Sequence, residues 1–124
     1  MKIAIIGNGG REHALAHQLS ESKKLTKIYS IPGNAGTEQI STNIDLNLDN
    51  FQDLYDFFSK EQIELVIVGP EKPLVEGLVD FLESKKIKVF GPRKKVAQLE
   101  GSKIFTKKIC KKFNIPTANF KICK

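Results

Sequence analysis

Four times in the first 92 residues a short strand-like run stops at a glycine or proline. The runs cover residues 3–6, 27–31, 65–68 and 87–90, and the breaks follow at residues 7–10, 32–36, 69–73 and 91–92. Runs of four to six apolar and β-branched residues bounded in this way predict buried strands. Between them the apolar spacing changes to that of helices. A helix is expected over 11–22, with Ala14, Leu15 and Leu19 along one stripe. A second is expected over 51–60, with Phe51, Leu54, Tyr55 and Phe58 on one face and Asp49 or Asn50 as its cap. A third is expected over 74–84, with Leu74, Leu78, Phe81 and Leu82 facing inward.

Strand and helix in alternation imply an α/β fold: a Rossmann-like open parallel sheet with right-handed crossovers and helices on both faces. Every glycine- or proline-rich break then falls at the carboxyl end of a strand, the edge where open α/β sheets bind ligands. The rhythm changes after Pro92. Helices are expected over 96–100 and 102–113, the second ended by Pro116, and residues 117–123 read as a strand with no partner. The expected organisation is a domain over 1–92, then linker helices and the start of a truncated second domain over 93–124. The chain is accordingly expected to be a fragment.

At 124 residues, 40% hydrophobic and 27% charged, the chain has the size and composition of one globular domain. No stretch approaches the roughly 18 apolar residues of a membrane span. The amino-terminal apolar run is too short for a signal peptide, so a cytoplasmic protein with no membrane partner is expected. Cys110 and Cys123 have no metal-site spacing and read as reduced bystanders. Charge is unevenly spread: residues 1–84 hold 13 of the 14 acidic side chains, and residues 85–124 hold 13 of the 20 basic ones. A polyanion partner is one implication. The basic segment lacks interleaved aromatics and 18 of the 20 cations are lysine, which argues against nucleic acid and for a solvated lysine face.

Gly7-Asn8-Gly9-Gly10, between a strand and a helix, is an arrangement that lets a backbone approach an anion at a helix amino terminus. A tight structural turn would use the same residues. A dinucleotide site fits less well. Glu12 stands where the third glycine of that fingerprint belongs, and the end of the second strand, Ser30-Ile31-Pro32-Gly33, has no ribose-reading acid. Arg11 offers a cation to such a site, and Glu12 either caps amides or takes a ligand hydroxyl. His13 reads as a helix-surface or partly buried residue without chemistry. His17 lies four residues on, but nothing in the sequence completes a metal site. Glu71, after Gly69-Pro70, is either an exposed loop acid or an acceptor for ribose hydroxyls in the same crevice.

Taken together, four segments resemble those of the glycinamide ribonucleotide synthetases (phosphoribosylamine–glycine ligases): Gly7-Asn8-Gly9-Gly10-Arg11-Glu12-His13-Ala14-Leu15, Pro32-Gly33-Asn34-Ala35-Gly36-Thr37, Val68-Gly69-Pro70-Glu71-Lys72-Pro73-Leu74, and Phe90-Gly91-Pro92 with Ala97-Gln98-Leu99-Glu100-Gly101-Ser102-Lys103. The resemblance runs in register from Met1 to about Phe120. It implies the amino-terminal domain that precedes an ATP-grasp domain, in an enzyme that joins glycine to 5-phosphoribosylamine at the expense of ATP. It further implies that Gly7, Asn8, Gly9, Gly10, Arg11, Glu12, Pro32, Gly33, Asn34, Gly36, Gly69, Pro70 and Glu71 bind phosphoribosylamine, with Glu71 at the ribose, and that Lys103 reaches ATP phosphates. No catalytic or metal-binding residue is expected within these 124 residues. ATP and Mg²⁺ or Mn²⁺ would be held mainly by the missing carboxyl-terminal part of a monomeric parent enzyme. Arg93-Lys94-Lys95 departs from the small residues usual at that point.

Overall fold

β1 (Lys2–Gly7) is the middle strand of a five-stranded sheet, and its alternating side chains divide the core in two. Ile3 and Ile5 point to one face and pack with Ala16, Ile28 and Ile67; Ala4 and Ile6 point to the other, with Tyr29, Ile31, Val66 and Val68. A period of two puts consecutive residues on opposite faces, so a strand apolar at every position must be covered on both sides. The computed structural model describes residues 1–121.

The other strands are β2 (Lys27–Pro32), β3 (Thr42–Asn43), β4 (Leu65–Val68) and β5 (Val89–Phe90). All pairings are parallel, in the order β3-β2-β1-β4-β5. The chain first moves outward from β1 through β2 and β3, then returns to lay β4 and β5 on β1's other side. The order therefore reverses between β1 and β4, and the carboxyl edge at such a reversal is where open α/β sheets bind ligands.

α1 (Gly10–Ser20) covers the Ile3/Ile5 face, whereas α2 (Phe51–Glu61), α3 (Glu71–Glu76), α4 (Leu78–Ser84) and α5 (Lys94–Gly101) contribute to the larger cluster on the opposite face. α2 docks through fully buried Leu54 and Phe58, and Asn50 caps it by accepting the Asp53 amide at 3.2 Å. Truncating a buried phenylalanine of this kind costs about 3–5 kcal/mol. α6 (Lys103–Lys112) starts from Ser102, whose hydroxyl accepts the Phe105 amide, and it carries no buried residue.

Several expectations need correction. α1 turns Glu12 and Ala16 to the sheet, with Leu19 partly buried; Ala14 is exposed and Leu15 is 37% exposed. The stripe was misplaced because a charged residue leads it. The single helix expected over 74–84 is two helices, the first beginning at Glu71. Gly77 at φ +101° ends α3 and starts α4, a left-handed conformation open to glycine because it has no Cβ. β3 was not anticipated: its two residues are too few to show a period. Residues 117–121 are not strand, and the last two residues of that expected strand, Cys123 among them, lie outside the described residues.

Candidate sugar-phosphate site

Three loops leave adjacent strands at the carboxyl edge and are tied to one another. The first, after β1, begins at Gly7 with φ +125°, and its carbonyl accepts the Gly33 amide at 3.2 Å. The Gly69 amide, after β4, donates to Ile6 at 3.2 Å. These bonds extend the sheet ladder by one step, so the loops begin at a common level.

Side chains add the lateral ties. Asn34 donates from Nδ2 to the carbonyl of Asn8 at 2.9 Å, joining the second loop to the first. Its Oδ1 accepts the amides of Gly36 and Thr37, which folds residues 34–37 into a tight turn. Thr37 is fully buried, and its hydroxyl meets Asn43 Oδ1 at 2.8 Å while accepting the Asn34 amide at 2.7 Å. Asn43 Nδ2 returns a bond to the Asn34 carbonyl. Gly33, at φ +76°, leaves no room for a side chain: a Cβ there would lie 2.3 Å from Asn43 Oδ1. Thr37 and Asn43 are the supports that sequence reasoning missed. Asn43 belongs to the unforeseen edge strand, and a lone buried threonine gives no periodic signal.

The third loop reaches the first through Arg11 and Glu12. Arg11 is exposed and donates from Nη2 to the Gly69 carbonyl at 3.1 Å, while its Nε lies 3.5 Å from Glu12 Oε1. Glu12 is only 4% exposed, and its Oε2 accepts the Gly9 amide at 2.8 Å, so it caps an amide as one of its two expected roles allows. Gly10, the first residue of α1, has open space where a side chain would stand. His13 is half-buried with its ring against Gly36, close enough that a Cβ on Gly36 would fall 2.2 Å from His13 Cε1. His17 is exposed, and no three His, Cys, Asp or Glu side chains converge as a metal group among the described residues.

Asn8, Gly10, Arg11 and Glu71 are exposed; Gly9, Pro32, Gly33, Asn34, Gly36, Gly69 and Pro70 are partly buried, and Gly7 is buried. Glu71 opens α3, two residues beyond the Gly69 that Arg11 holds. It shares a cleft of about 510 Å³ with Gly101, and Lys103 stands exposed two residues further along, at the start of α6. Beside Glu71, Lys72 bonds Asp49 at 2.7 Å, and that bond raises the ammonium above its ordinary value. Another cleft, of about 860 Å³, is lined by Cys110, Lys111 and residues 114–121, and by no residue of the three loops.

Ser30, where a dinucleotide fold carries its ribose-reading acid, is buried and bonded to Ser41 at 2.7 Å. That position is structural here.

Comparison with known proteins agrees with this architecture. The family described as "Phosphoribosylglycinamide synthetase, N domain" matches residues 1–100. The phosphoribosylamine–glycine ligase of Caldanaerobacter subterraneus subsp. tengcongensis is 48% identical over 121 residues, 98% of this chain and 29% of that protein. The crystal structure of the phosphoribosylamine–glycine ligase of Thermotoga maritima superimposes with a TM-score of 0.67 at 33% identity, over 98% of this chain and 27% of that one. An N5-carboxyaminoimidazole ribonucleotide synthetase from Thermus thermophilus, at 22% identity, shares the fold with a TM-score of 0.65 over 93% of this chain and 31% of its own. The chain thus spans less than a third of the length of the relatives it matches. By its fold, its loop segments and the match over residues 1–100, it belongs to the phosphoribosylglycinamide synthetase N-domain family.

Proposed function

We propose that this chain supplies the sugar-phosphate-binding part of a phosphoribosylamine–glycine ligase, a cytoplasmic, monomeric enzyme that forms glycinamide ribonucleotide from glycine and 5-phosphoribosylamine. The observation that carries the reading is the tying of three loops into one rim at the sheet's switch point, through the Asn34–Asn8 and Arg11–Gly69 bonds. A phosphorylated pentose suits such a rim. The amides at the start of α1 face an anion with the favourable end of the helix dipole, Gly10 leaves the approach open, and Glu71 is the acceptor for ribose hydroxyls.

Residues 1–92 form the binding unit in this reading, and residues 93–124 lead into a second domain. The described residues do not by themselves fit a magnesium nucleotide: the one cation assigned to it, Lys103, is exposed on α6, and no metal group forms. In this proposal ATP and its metal are assigned mainly to polypeptide of the kind the relatives carry outside the matched span. Bound there, ATP would supply the phosphoryl group that activates the glycine carboxylate. The part played by this chain is to hold the sugar phosphate at the rim.

Calorimetry tests the binding claim. Glycinamide ribonucleotide titrated into the chain should give saturable heat, weak because the closing domain is absent, whereas NAD and unphosphorylated ribose should give none. Binding of NAD without binding of glycinamide ribonucleotide would overturn the reading.

A further inference from the structure

A glycine-rich turn at a helix amino terminus is ordinarily taken as room for a ligand's phosphate. Here part of that room is filled from within. A Cβ on Gly7 would lie 2.7 Å from Glu12 Cγ, one on Gly9 would lie 2.8 Å from Glu12 Oε2, and one on Gly69 would lie 2.1 Å from Glu12 Oε1. The three glycines, from two loops 60 residues apart in sequence, are small because one carboxylate lies across them.

The two oxygens of that carboxylate differ. Oε2 accepts the Gly9 amide. Oε1 is shut off from solvent and has no hydrogen-bond partner among the described residues. A ligand on the rim has no access to Oε1, and with only 4% of Glu12 exposed its effect on binding passes mainly through the groups it holds. Those are Gly9, Gly69 against its flank, and Arg11, whose Nε is 3.5 Å from Oε1 and whose Nη2 reaches the Gly69 carbonyl. A buried carboxylate with one donor and a cation just beyond hydrogen-bond range is a poor packing element. An uncharged side chain of the same shape would bury at lower cost.

We propose that Glu12 is a positioning residue: with Arg11 it forms an internal clasp that holds the glycine loop and the third loop at the spacing a sugar phosphate needs before the ligand arrives. The ligand then occupies the open side of the turn, next to Gly10, and the glycines at 7, 9 and 69 serve the clasp. The proposal rests on reading the rim as a sugar-phosphate site, and its test separates the two.

Glu12→Gln keeps the shape and removes the charge that attracts Arg11. Two quantities are read on the 124-residue chain: affinity for glycinamide ribonucleotide by calorimetry, and solvent exchange of the Arg11 Nε–H and Gly69 amide by NMR without ligand. The clasp predicts faster exchange at both positions and an affinity loss of about tenfold or more, the scale of one charge-assisted bond, with a denaturation midpoint no lower than that of the parent. Either change without the other overturns the proposal, as does neither. If the parent chain itself fails to bind glycinamide ribonucleotide, the sugar-phosphate reading falls, and the exchange rates alone decide whether the clasp exists. Arg11→Ala breaks the clasp from its exposed side, so it serves if the glutamine variant does not fold. Unchanged Gly69 exchange in that variant would likewise refute the clasp.

Discussion

Asn34 binds the carbonyl of Asn8 with its amide nitrogen while its oxygen gathers the amides of Gly36 and Thr37, so one side chain both shapes the second loop and fastens it to the first. Replacement by alanine removes all of these bonds and leaves their partners dependent on water. Asn34→Ala should cost about 1–3 kcal/mol of stability, measured by urea denaturation. A loss below about half a kilocalorie would mean that the turn holds its shape without the side chain.

Two glycines of the rim should respond with opposite signs. Gly69→Ala drives a methyl into Glu12 Oε1 at 2.1 Å, and the backbone or the carboxylate must shift. The expected loss is about 1–3 kcal/mol. Gly10→Ala meets nothing within 4 Å, at the first position of α1. There the exchange should stabilise by about 0.4–1 kcal/mol through the unfolded chain. Thermal denaturation of the two variants side by side decides it, and equal midpoints would contradict the contact geometry.

In the proposed function Glu71 bears on the ligand, and its exposure at the start of a helix of six residues leaves it little part in the fold. In the complete enzyme, Glu71→Ala should raise KM for phosphoribosylamine roughly tenfold to a hundredfold, as expected for losing a hydrogen bond to a charged acceptor. The denaturation curve should stay where it is. An unchanged KM would remove Glu71 from the site.

Stability should show a pH signature from Tyr29 and Glu61, whose hydroxyl and carboxylate meet at 2.5 Å. That bond lowers the Glu61 carboxyl below its ordinary value and is the main cause that raises the Tyr29 hydroxyl above its own. The depressed acid contributes stability above the carboxylate's unfolded pKa and loses it as pH falls through the folded value. The raised phenol contributes below its unfolded pKa and loses it as pH rises through the folded one. Tyr29→Phe should therefore narrow its stability gap to the parent at both acid and alkaline extremes. A gap constant with pH would show that the bond does not form in solution.

Much of this architecture could be read from the amino acids because β1, β2, β4 and α2 are governed by local pattern. An apolar run between breakers can only be a buried strand here, and Phe51, Leu54, Tyr55 and Phe58 define one helix face. What escaped depends on partners distant in sequence. The inward face of α1 is led by a glutamate, which reads as solvent-facing until Gly7, Gly9 and Gly69 are known to surround it. Gly77 breaks α3 from α4 inside an unbroken apolar period, and only its left-handed φ shows the break. At the rim the motifs fall on the three loops that Asn34 and Arg11 tie together, but the Thr37–Asn43 support beneath them rests on two ordinary polar residues.

The central place of β1 has a consequence for synthesis. Its flanks are occupied by a strand that begins 20 residues after it ends and by another that arrives only at Leu65. A nascent chain released no further than α2 therefore has the glycine turn with one neighbouring loop missing. The rim is completed only after β4 inserts, so its third loop can take its place only once the first strand is paired on both sides.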